Sequence, residues 1–410
     1  MKIKILLALI AVMLLSGCVG IKDSEGWKSS QKSEFLDILE DDKYASICDE
    51  TKLYEQAKED TDSKLMTKLL IAYTRNLANG CINLRKFKAS QRSKRARKID
   101  TKYVTYLQTV NDANLVLQLK AGKTIEEILA PFVPKYRQFN ALIKVYGKLD
   151  KKSATAKKVR INIERVKLLK HNIGSTFALV NIPEFKVRII EGDKTALKMA
   201  VIVGKRNMQT PIFSAKLKYM TLNPQWSVPD SIARNEIIPK LIRNKNYAKG
   251  RNMVIIKDTY DLRGKKVKVS SVDWKKYSGG KGYVPYKFVQ VPSRRNGLGR
   301  VKFIFPNSNA VYMHDTLNKR LFNRKVRTFS HGCIRLHKPV KMMNHITKTY
   351  TATSNKTVKS WYDKMKTKHV SLNKNLPVHT AYLTAYVNDS GKLLIFSDVY
   401  GYDKSQRLVF

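Results

Sequence analysis

The residues of this chain best suited to chemistry lie in segment 330–335, which reads Ser-His-Gly-Cys-Ile-Arg, and in His314 shortly before it. A cysteine is a nucleophile only as thiolate, and its ordinary pKa of about 8.5 leaves mostly thiol at neutral pH. A nearby histidine can take up that proton. Gly332 leaves room beside the Cys333 sulfur for a substrate carbonyl and for backbone N–H groups that bind an oxyanion. The segment is therefore a candidate site of acyl transfer.

Other interpretations fit the same region. Its side chains with atoms that can bind zinc are His331, Cys333, His337 and His345. No paired-cysteine spacing supports a metal site, so the sequence predicts neither a metal nor a cofactor. A single cysteine in apolar surroundings is usually a small buried hydrophobe, and a single histidine is usually a hydrogen-bonded structural residue. Spacing alone leaves this structural interpretation and the nucleophile interpretation both open.

The order of these residues is similar to the signature of a known family. His314, a gap, and then Ser-His-Gly-Cys, an apolar residue and arginine resemble the pattern of the L,D-transpeptidase (YkuD) family. The resemblance implies that Cys333 is the nucleophile and that His314 is its general base. It further implies that the backbone carbonyl of Asp315 orients the imidazole of His314.

The same resemblance assigns supporting roles within the segment. Gly332 and Cys333 would offer backbone N–H groups to the oxyanion. His331 would help to bind substrate or hold the loop, and Ser330 is a further supporting candidate.

Three more residues are candidates for binding substrate, namely Tyr312, Arg335 and Trp226. The planar guanidinium of Arg335 suits a bidentate contact with a carboxylate. We expect that carboxylate to belong to the protein, although a substrate carboxylate is also open. Trp226 would either stack against a substrate or fill the core, and we expect the core.

The resemblance implies a peptidoglycan enzyme that forms 3→3 cross-links. Cys333 would attack a tetrapeptide donor stem, release the terminal D-alanine, and hold the rest of the stem as a thioester. An amine from a second stem would complete transpeptidation. Water would instead give L,D-carboxypeptidase activity, and a D-amino acid would exchange the stem terminus. A non-catalytic, wall-binding lipoprotein is the alternative from another class.

Residues 1–17 have the layout of a secretory signal peptide. Lys2 and Lys4 precede an apolar run that is too short to span a bilayer as a helix. Residues 15–18, Leu-Ser-Gly-Cys, resemble a bacterial lipobox, which implies cleavage before Cys18 and lipid on its sulfur. An ordinary cleaved signal is the alternative. We therefore expect a lipid anchor at the periplasmic face of the cell envelope, in the outer membrane of a Gram-negative bacterium.

The chain has 410 residues and a formal net charge of +47. Its basic residues are spread along the whole length without a nucleic-acid motif, and export would separate the protein from nucleic acid, so we expect no nucleic-acid partner. A basic surface would steer anionic polymers and carboxylate-rich stem peptides toward the protein. A general bias toward lysine explains the charge equally well. The expected partners are stem peptides and the membrane, and the oligomeric state is not predicted.

The four cysteines of the chain divide by expected role. With Cys18 assigned to lipid and Cys333 to catalysis, Cys48 and Cys81 remain. Cysteines left over in an oxidising compartment often pair, so the sequence predicts a disulfide between them.

The fold class predicted by the sequence is α+β. Residues 18–170 are expected to form a helical scaffold domain, because apolar residues recur there at helical spacing. The basic run 85–98 lacks apolar periodicity and is expected to be a solvated loop or helix face. From residue 171 to 410 the pattern changes to short strands, which predicts a mostly β catalytic domain.

Residues 229–299 are expected to form an inserted capping subdomain. The preceding stretch 222–229 is similar to the YcbB-like subgroup of Gram-negative L,D-transpeptidases, and the resemblance implies such an insertion. Its glycines indicate mobile turns, and its Trp274 and Tyr283 are typical of a cover that touches stem peptides. Residues 339–402 are expected to form two helices, at about 339–350 and 358–365, and a hairpin of strands 378–387 and 393–396. We find no segment that resembles the small peptidoglycan-binding module of many relatives.

Overall fold

The computed structural model of the protein describes residues 26–49 and 51–408. The predicted signal peptide and the lipidation candidate Cys18 lie outside the described residues. Within the described ranges, no helix has the length and the apolar character needed to cross a membrane. The chain divides into two compact units: the first takes residues up to Cys81 and 108–133, and the second takes 82–107 and 134–408. The domain limits predicted at residues 170 and 171 stay a prediction.

The N-terminal part is helical, as the sequence predicts. Eight α-helices precede the first strand in the described part of the chain: α1 (Ser29–Glu40), α2 (Thr51–Glu59), α3 (Ser63–Asn79), α4 (Leu84–Ala96), α5 (Asp112–Lys120), α6 (Ile125–Leu129), α7 (Arg137–Tyr146) and α8 (Ala154–Lys167). The first unit contains α1 to α3, α5 and α6, whereas the second unit contains α4, α7 and α8.

The first unit is organised around α3. Apolar side chains three or four positions apart share one helix face, and the buried stripe of α3 is Met66, Leu69, Leu70, Tyr73 and Leu77. Tyr73 packs edge-on against Phe35 of α1, with ring centroids 6.0 Å apart. A disulfide joins Cys48 to Cys81, whose Cα atoms lie 5.7 Å apart. The structure thus contains the cysteine pair named by the sequence.

The second unit contains the strands. Those of the described part are β1 (Thr176–Asn181), β2 (Lys186–Glu191), β3 (Lys194–Gly204), β4 (Ser214–Leu222), β5 (Trp226–Ser227), β6 (Met253–Lys257), β7 (Tyr286–Gln290), β8 (Val301–Ile304), β9 (Met313–His314), β10 (Thr328–Ser330), β11 (Ile334–Leu336), β12 (Lys368–Ala381), β13 (Ala385–Val387) and β14 (Leu393–Ile395). The predicted α+β class, with a mostly β catalytic domain, is confirmed.

The main sheet has nine strands in the order β10-β3-β11-β9-β8-β4-β12-β1-β2. Because β2 also pairs with β3, the sheet closes on itself and encloses the apolar core. The short strand β9 lies between β8 and β11, so His314 at its end is held from both sides.

Residues 229–299 have a core of their own. They contribute the short helices α9 (Asp230–Ile232), α10 (Ile238–Arg243) and α11 (Tyr247–Gly250), with a π turn at Ala233–Ile237, and β6 and β7 of a three-stranded sheet with β5. Trp274 is only 6% exposed, because it packs against Phe288 and Tyr286. The expectation that Trp274 touches substrate is therefore wrong. Tyr283 is 62% exposed, and its hydroxyl donates to the Asp258 carboxylate at 3.0 Å.

The C-terminal helices are α12 (Pro339–Tyr350), α13 (Asn355–Asp363) and α14 (Tyr402–Ser405). The structure differs from the predicted hairpin, in which residues 378–387 form one strand. Strand β12 ends at Ala381, and the next strand begins at Ala385 and pairs with β14. The Asn181 side chain hydrogen bonds to both the backbone N–H and the carbonyl of Leu383, which removes that residue from the ladder.

The basic run 85–98 forms α4, and one face of this helix is buried. Phe87 is buried among Tyr103 and Tyr402, with ring centroids 5.2 and 6.0 Å away. Gln91, one turn further on the same face, is also buried. Only the opposite face fits the expectation of a solvated surface.

Candidate active site

A cavity of about 780 Å³ in the second unit brings the candidate residues together. Of the residues singled out in the sequence, its wall includes Trp226, Tyr312, His314, Ser330, His331, Cys333 and Arg335. Gly332 and Asp315 are direct chain neighbours of these residues. The sequence-predicted residues therefore share one site.

Strand pairing explains why residues distant in sequence meet here. Strands β9 and β11 run parallel, with Arg335 opposite His314, and the Ile334 N–H donates to the Tyr312 carbonyl at 3.0 Å. Extending this register places Cys333 opposite Tyr312. Because side chains alternate between the faces of a strand, all four of these side chains point to the same face.

His314 is 5% exposed and uncharged at neutral pH. Burial lowers its pKa to about 4, and the nearby charge of Arg335 adds to the effect. The backbone carbonyls of Asp315 and Leu298 oppose part of this shift. The Nδ1 atom forms no hydrogen bond of normal geometry among the described residues, although the Asp315 carbonyl lies close enough to raise the pKa of the ring. The orienting role expected of that carbonyl stays a prediction. A neutral imidazole can accept a proton.

The Cys333 thiol is protonated in the resting site. Burial raises the thiol pKa, while the backbone N–H and hydroxyl of Tyr312 and the charge of Arg335 pull it down. The Cys333 sulfur lies 3.9 Å from the carbonyl oxygen of Ala310. Since burial disfavours both the thiolate and the imidazolium, transfer of the proton from cysteine to histidine is uphill in the empty site. The transfer therefore needs substrate to stabilise the charges that develop.

The Ser330 hydroxyl shapes the loop before the nucleophile. It donates to the Cys333 carbonyl at 2.5 Å and accepts from the Gly332 N–H at 3.2 Å. Gly332 has a φ of +113°, a conformation that residues with a side chain rarely adopt. Because the Gly332 N–H is already used, the expected pair of oxyanion donors is not free in this structure. The Cys333 N–H has no hydrogen bond among the described residues and remains available.

Thr210 fixes the same loop from the opposite side. Its hydroxyl donates to the Gly332 carbonyl at 2.8 Å and accepts from the Gly204 N–H at 2.8 Å. Sequence analysis did not select Thr210, because a single threonine between two strands has no distinguishing pattern. The contact holds Gly332 in its unusual backbone conformation.

Arg335 faces the cavity without a protein partner. Within the described residues its guanidinium makes no hydrogen bond and no ion pair, so the expected structural carboxylate is not found there. Burial lowers its pKa, and the nearby Cys333 and Glu236 oppose the shift. A half-buried arginine with unused donors is suited to binding the carboxylate of a ligand.

Glu236, in residues 229–299, reaches the loop that precedes Cys333. Its Oε1 lies 2.6 Å from Nε2 of His331 and 3.9 Å from Nζ of Lys205. The hydrogen bond from His331 is the main cause that lowers the pKa of Glu236. Sequence analysis missed this contact, because a glutamate almost a hundred positions before the motif has no spacing signal. Residues 229–299 therefore touch the loop that precedes Cys333 directly.

The carboxylate of Asp315 anchors the end of β9. It accepts from the backbone N–H groups of Arg300 and Thr316 at 2.9 and 2.7 Å, and it pairs with Lys319. Gly299 has a φ of +67°, and a Cβ atom there would lie 2.3 Å from this carboxyl group. The close approach requires glycine, and the resulting turn holds His314 in place.

Trp226 lies at the cavity wall and is not part of the fully buried core. It also lines a second chamber of about 570 Å³, together with Tyr312 and Leu298. A Cβ atom on Gly297 would lie 2.9 Å from the indole ring, so glycine permits the ring to pack there. Trp226 also packs against the apolar cluster around Val228 and Phe288, so its expected role as core filler stays a prediction.

Comparison with known proteins identifies the catalytic part of the chain. Residues 175–366 match the family model of the L,D-transpeptidase catalytic domain, YkuD. The chain therefore contains a catalytic domain of the L,D-transpeptidase (YkuD) family. This confirms the family resemblance identified from the motif. The matched range contains every residue of the cavity wall named above.

The chain is also similar to particular proteins. A curated protein of Haemophilus influenzae with a provisional L,D-transpeptidase name is 30% identical over 275 residues, which cover 67% of this chain and 53% of that protein. The chain thus spans about half the length of this relative. An L,D-transpeptidase structure from Mycobacterium smegmatis is 13% identical, with 50% of this chain and 58% of that chain covered and a TM-score of 0.20. The Ldtfm–avibactam carbamoyl enzyme is 11% identical, with 72% and 98% covered and a TM-score of 0.24.

Proposed function

We propose that this protein is a peptidoglycan L,D-transpeptidase that forms 3→3 cross-links through a thioester on Cys333. The observation that carries the proposal is the pairing of β9 and β11, which brings a neutral, buried His314 and a protonated Cys333 to the wall of one cavity. This pairing lies inside the region that matches the YkuD catalytic domain.

Acylation follows from the positions of these groups. The free guanidinium of Arg335 binds a carboxylate of the tetrapeptide donor stem. Cys333 then gives its proton to His314 and attacks the carbonyl of the diamino acid, and the Cys333 N–H stabilises the oxyanion. When the tetrahedral intermediate collapses, His314 returns the proton to the departing amine of D-alanine. The stem remains bound as a thioester.

The second half of the reaction uses the same groups in the reverse order. The side-chain amine of an acceptor stem attacks the thioester and gives a proton to His314. The C–S bond then breaks to release the cross-linked product, and His314 returns the proton to the Cys333 thiolate. Water in place of the amine gives a tripeptide and makes the protein an L,D-carboxypeptidase. A D-amino acid in that place exchanges the stem terminus. The choice depends on how well water is kept from the thioester.

Residues 229–299 are proposed to cover the site and to favour the amine over water. Ile232, Glu236 and Lys281 of this segment line the cavity that contains Cys333. The contact between Glu236 and His331 ties the cover to the loop of the nucleophile. A cover fixed in this way excludes water from an intermediate that must wait for a bulky acceptor.

Replacing Glu236 with alanine is expected to shift the products from cross-linked dimer toward hydrolysed tripeptide. The partly exposed ion pair adds little to the stability of the fold, so the thermal unfolding midpoint should change little. Asp261→Asn is the matched control. It also removes one negative charge from residues 229–299, but at the exposed ion pair between Asp261 and Arg263, which is distant from Glu236 in the sequence. Equal dimer-to-tripeptide ratios in both variants would show that the contact does not hold the cover.

The test of the proposed function is incubation with purified disaccharide-tetrapeptide, followed by mass spectrometry of the products. Dimer shows a transferase, and tripeptide shows a carboxypeptidase. If a correctly folded protein gives neither product and forms no adduct with a carbapenem, the non-catalytic, wall-binding lipoprotein becomes the better assignment.

We propose that Cys18 carries the lipid that holds the protein at the periplasmic face of the envelope. Cys18→Ser is expected to release the protein from the membrane fraction, because the sulfur is the point of attachment. Ser24→Ala, just beyond the lipobox, serves as the control. Cell fractionation measures the distribution, and a wild-type protein in the soluble fraction would contradict the anchor.

A further inference from the structure

Helix α4 and the extended segment 101–105 enclose a groove of about 220 Å³ in the second unit. Its basic residues are Lys88, Arg92 and Arg95 on the helix and Lys102 on the extended segment, and no acidic residue lines it. We call this feature the α4 groove. It lies outside residues 175–366, the part that matches the family's catalytic domain.

The cations of the α4 groove are not used by the protein. Within the described residues, the side chains of Lys88, Arg92, Arg95 and Lys102 make no hydrogen bond and no ion pair. The three helical cations follow one another at spacings of four and three residues, so they lie on successive turns of one face. The arrangement is a row of positive charge along an open groove.

The wall of the groove also offers a buried donor that has no partner. Gln91 is 7% exposed; its Oε1 accepts from the Thr101 hydroxyl at 2.7 Å, whereas its Nε2 has no hydrogen-bond partner among the described residues. A buried N–H group without a partner costs free energy that a ligand oxygen would recover. The amide and the row of cations favour the same kind of ligand, which is an anion that accepts hydrogen bonds.

The α4 groove adjoins the active-site cavity. Arg95 lines both, and the cavity wall continues from it through Lys98 and Asp100. A ligand long enough to extend past Arg95 would occupy the groove and reach toward Cys333 at the same time.

The groove is held in register with the loop of the nucleophile. The Asp100 N–H donates to the Asn207 carbonyl at 2.8 Å, and the Asp100 carbonyl accepts from the Gln209 N–H at 2.9 Å. The next residue, Thr210, is the one that fixes Gly332. The distance between groove and nucleophile is therefore set by backbone hydrogen bonds and does not depend on a flexible linker.

We propose that the α4 groove binds a carboxylate-bearing peptidoglycan stem peptide whose other end lies in the active-site cavity. This inference rests on the proposed function and adds a binding site for its substrate. An extended peptide advances about 3.4 Å per residue, so carboxylates two residues apart lie roughly 7 Å from each other. Lys88 and Arg92, one helical turn apart, are separated by about 6 Å along the helix axis. The spacing of the carboxylates therefore matches the spacing of the two cations closely enough for successive carboxylates to contact Lys88 and Arg92.

The test uses the full chain with Lys88, Arg92 and Lys102 replaced by glutamine. Arg95 is left in place, because it also lines the cavity of Cys333. The control variant replaces Lys356, Lys359 and Lys364, which are exposed at α13 in the same unit, and so loses the same charge elsewhere. We expect the groove variant to bind purified sacculi about tenfold more weakly than the control, since three exposed charge contacts are lost.

Binding is measured by co-sedimentation with sacculi in a Cys333→Ala background, so the result does not require turnover. In the active protein, KM for disaccharide-tetrapeptide should rise by a similar factor, and the control should match the wild type. Gln91→Leu is a second variant that removes the buried amide without a change of charge, and several-fold weaker binding is expected.

Two kinds of outcome would overturn the proposal, and a third would separate it from the proposed function. Equal binding of sacculi by the groove and control variants would show that the groove is a solvated surface. Loss of binding to phosphatidylglycerol vesicles alone, or to a single-stranded oligonucleotide alone, would assign the groove to a lipid surface or to nucleic acid instead. If the wild-type protein yields no product but the groove variant still loses sacculus binding, the proposed function fails while the binding site stands.

Discussion

Alanine at position 333 is expected to abolish turnover of the tetrapeptide stem while leaving the fold intact. The Cys333 sulfur is the only atom that the change removes, and it lies at a cavity wall outside the disulfide and outside the fully buried core. Loss of one partly exposed sulfur costs little packing, whereas the thioester route cannot proceed without it. Activity should therefore fall by far more than stability.

The measurement compares product formation with the thermal unfolding midpoint of the same preparation. Cys333→Ser is a useful companion, because it keeps the volume of the side chain and its hydrogen bonding but has a much weaker nucleophile. Residual turnover within about tenfold of the wild type would correspond to only roughly 1.4 kcal/mol of barrier and would remove Cys333 from the nucleophile role.

The proposed catalytic pair, His314 and Cys333, could be selected from the sequence because the residues around it resemble the signature of a known family. Tyr312, just before β9, is two residues from His314 and shares its face, and Cys333, just before β11, is two residues from Arg335 and shares its face. The motif therefore encodes a local geometry that does not depend on the rest of the chain. Residue type and spacing alone left the roles of Cys333 and His314 open, and the resemblance to the L,D-transpeptidase (YkuD) family assigned them.

The other parts of the site depend on contacts between distant segments. Glu236 reaches His331 across almost a hundred residues, and Thr210 reaches Gly332 across more than a hundred. Neither residue type is unusual, and neither position follows a periodic pattern. Their roles are set by tertiary packing, which a single sequence does not reveal.

Local competition for hydrogen bonds and apolar contacts explains two further differences. The Gly332 N–H was expected to face an oxyanion, but the Ser330 hydroxyl lies closer and uses it. Trp274 was expected at a surface, but its neighbours Tyr286 and Phe288 form an apolar cluster that buries it. In both cases the residue type was interpreted correctly and its surroundings were not.

The first half of β12 was not predicted from the sequence, also because of a local irregularity. Buried Val370 and Leu376 are separated by polar residues, and the pairing with β4 shifts register between Ser371 and Leu376. The shift breaks the strict alternation that identifies a half-buried strand. The helix α12, in contrast, has an uninterrupted apolar stripe and was predicted with the same limits that the structure shows.

Replacement of His314 is expected to suppress acylation and to remove the acid limit of activity. A general base contributes roughly 10² to 10⁴ in rate, so His314→Ala should lose about a hundredfold or more in kcat/KM. Burial lowers the His314 pKa to about 4, so the imidazole stays neutral and able to accept a proton well below pH 6. In the wild type, kcat/KM should therefore hold down to about pH 5 and fall as pH passes through the His314 pKa. The His314→Ala variant should show no such fall in kcat/KM at low pH.

The same pKa has a consequence for stability that can be measured separately. An unfolded histidine titrates near 6.5, while folded His314 titrates near 4, so the unfolded chain binds the proton first as pH falls. Stability contributed by the neutral, buried ring is present above about 6.5 and is lost as pH drops toward 4. His314→Ala should show a shallower loss of stability across this window than the wild type, whatever its stability at neutral pH.

His379 provides the matched control for both measurements. It is also buried, burial also lowers its pKa to about 4, and its Nδ1 lies 2.7 Å from the Ser214 hydroxyl, but it does not line the cavity of Cys333. His379→Gln should also show a shallower loss of stability as pH falls, but its kcat/KM should still fall at low pH as in the wild type. If kcat/KM falls at low pH in both variants, His314 is not the base. The same conclusion follows if iodoacetamide reacts with Cys333 equally fast across neutral pH in the His314 variant and in the wild type. If the fall in kcat/KM at low pH disappears in the His314 variant alone, His314 takes part in proton transfer at the nucleophile.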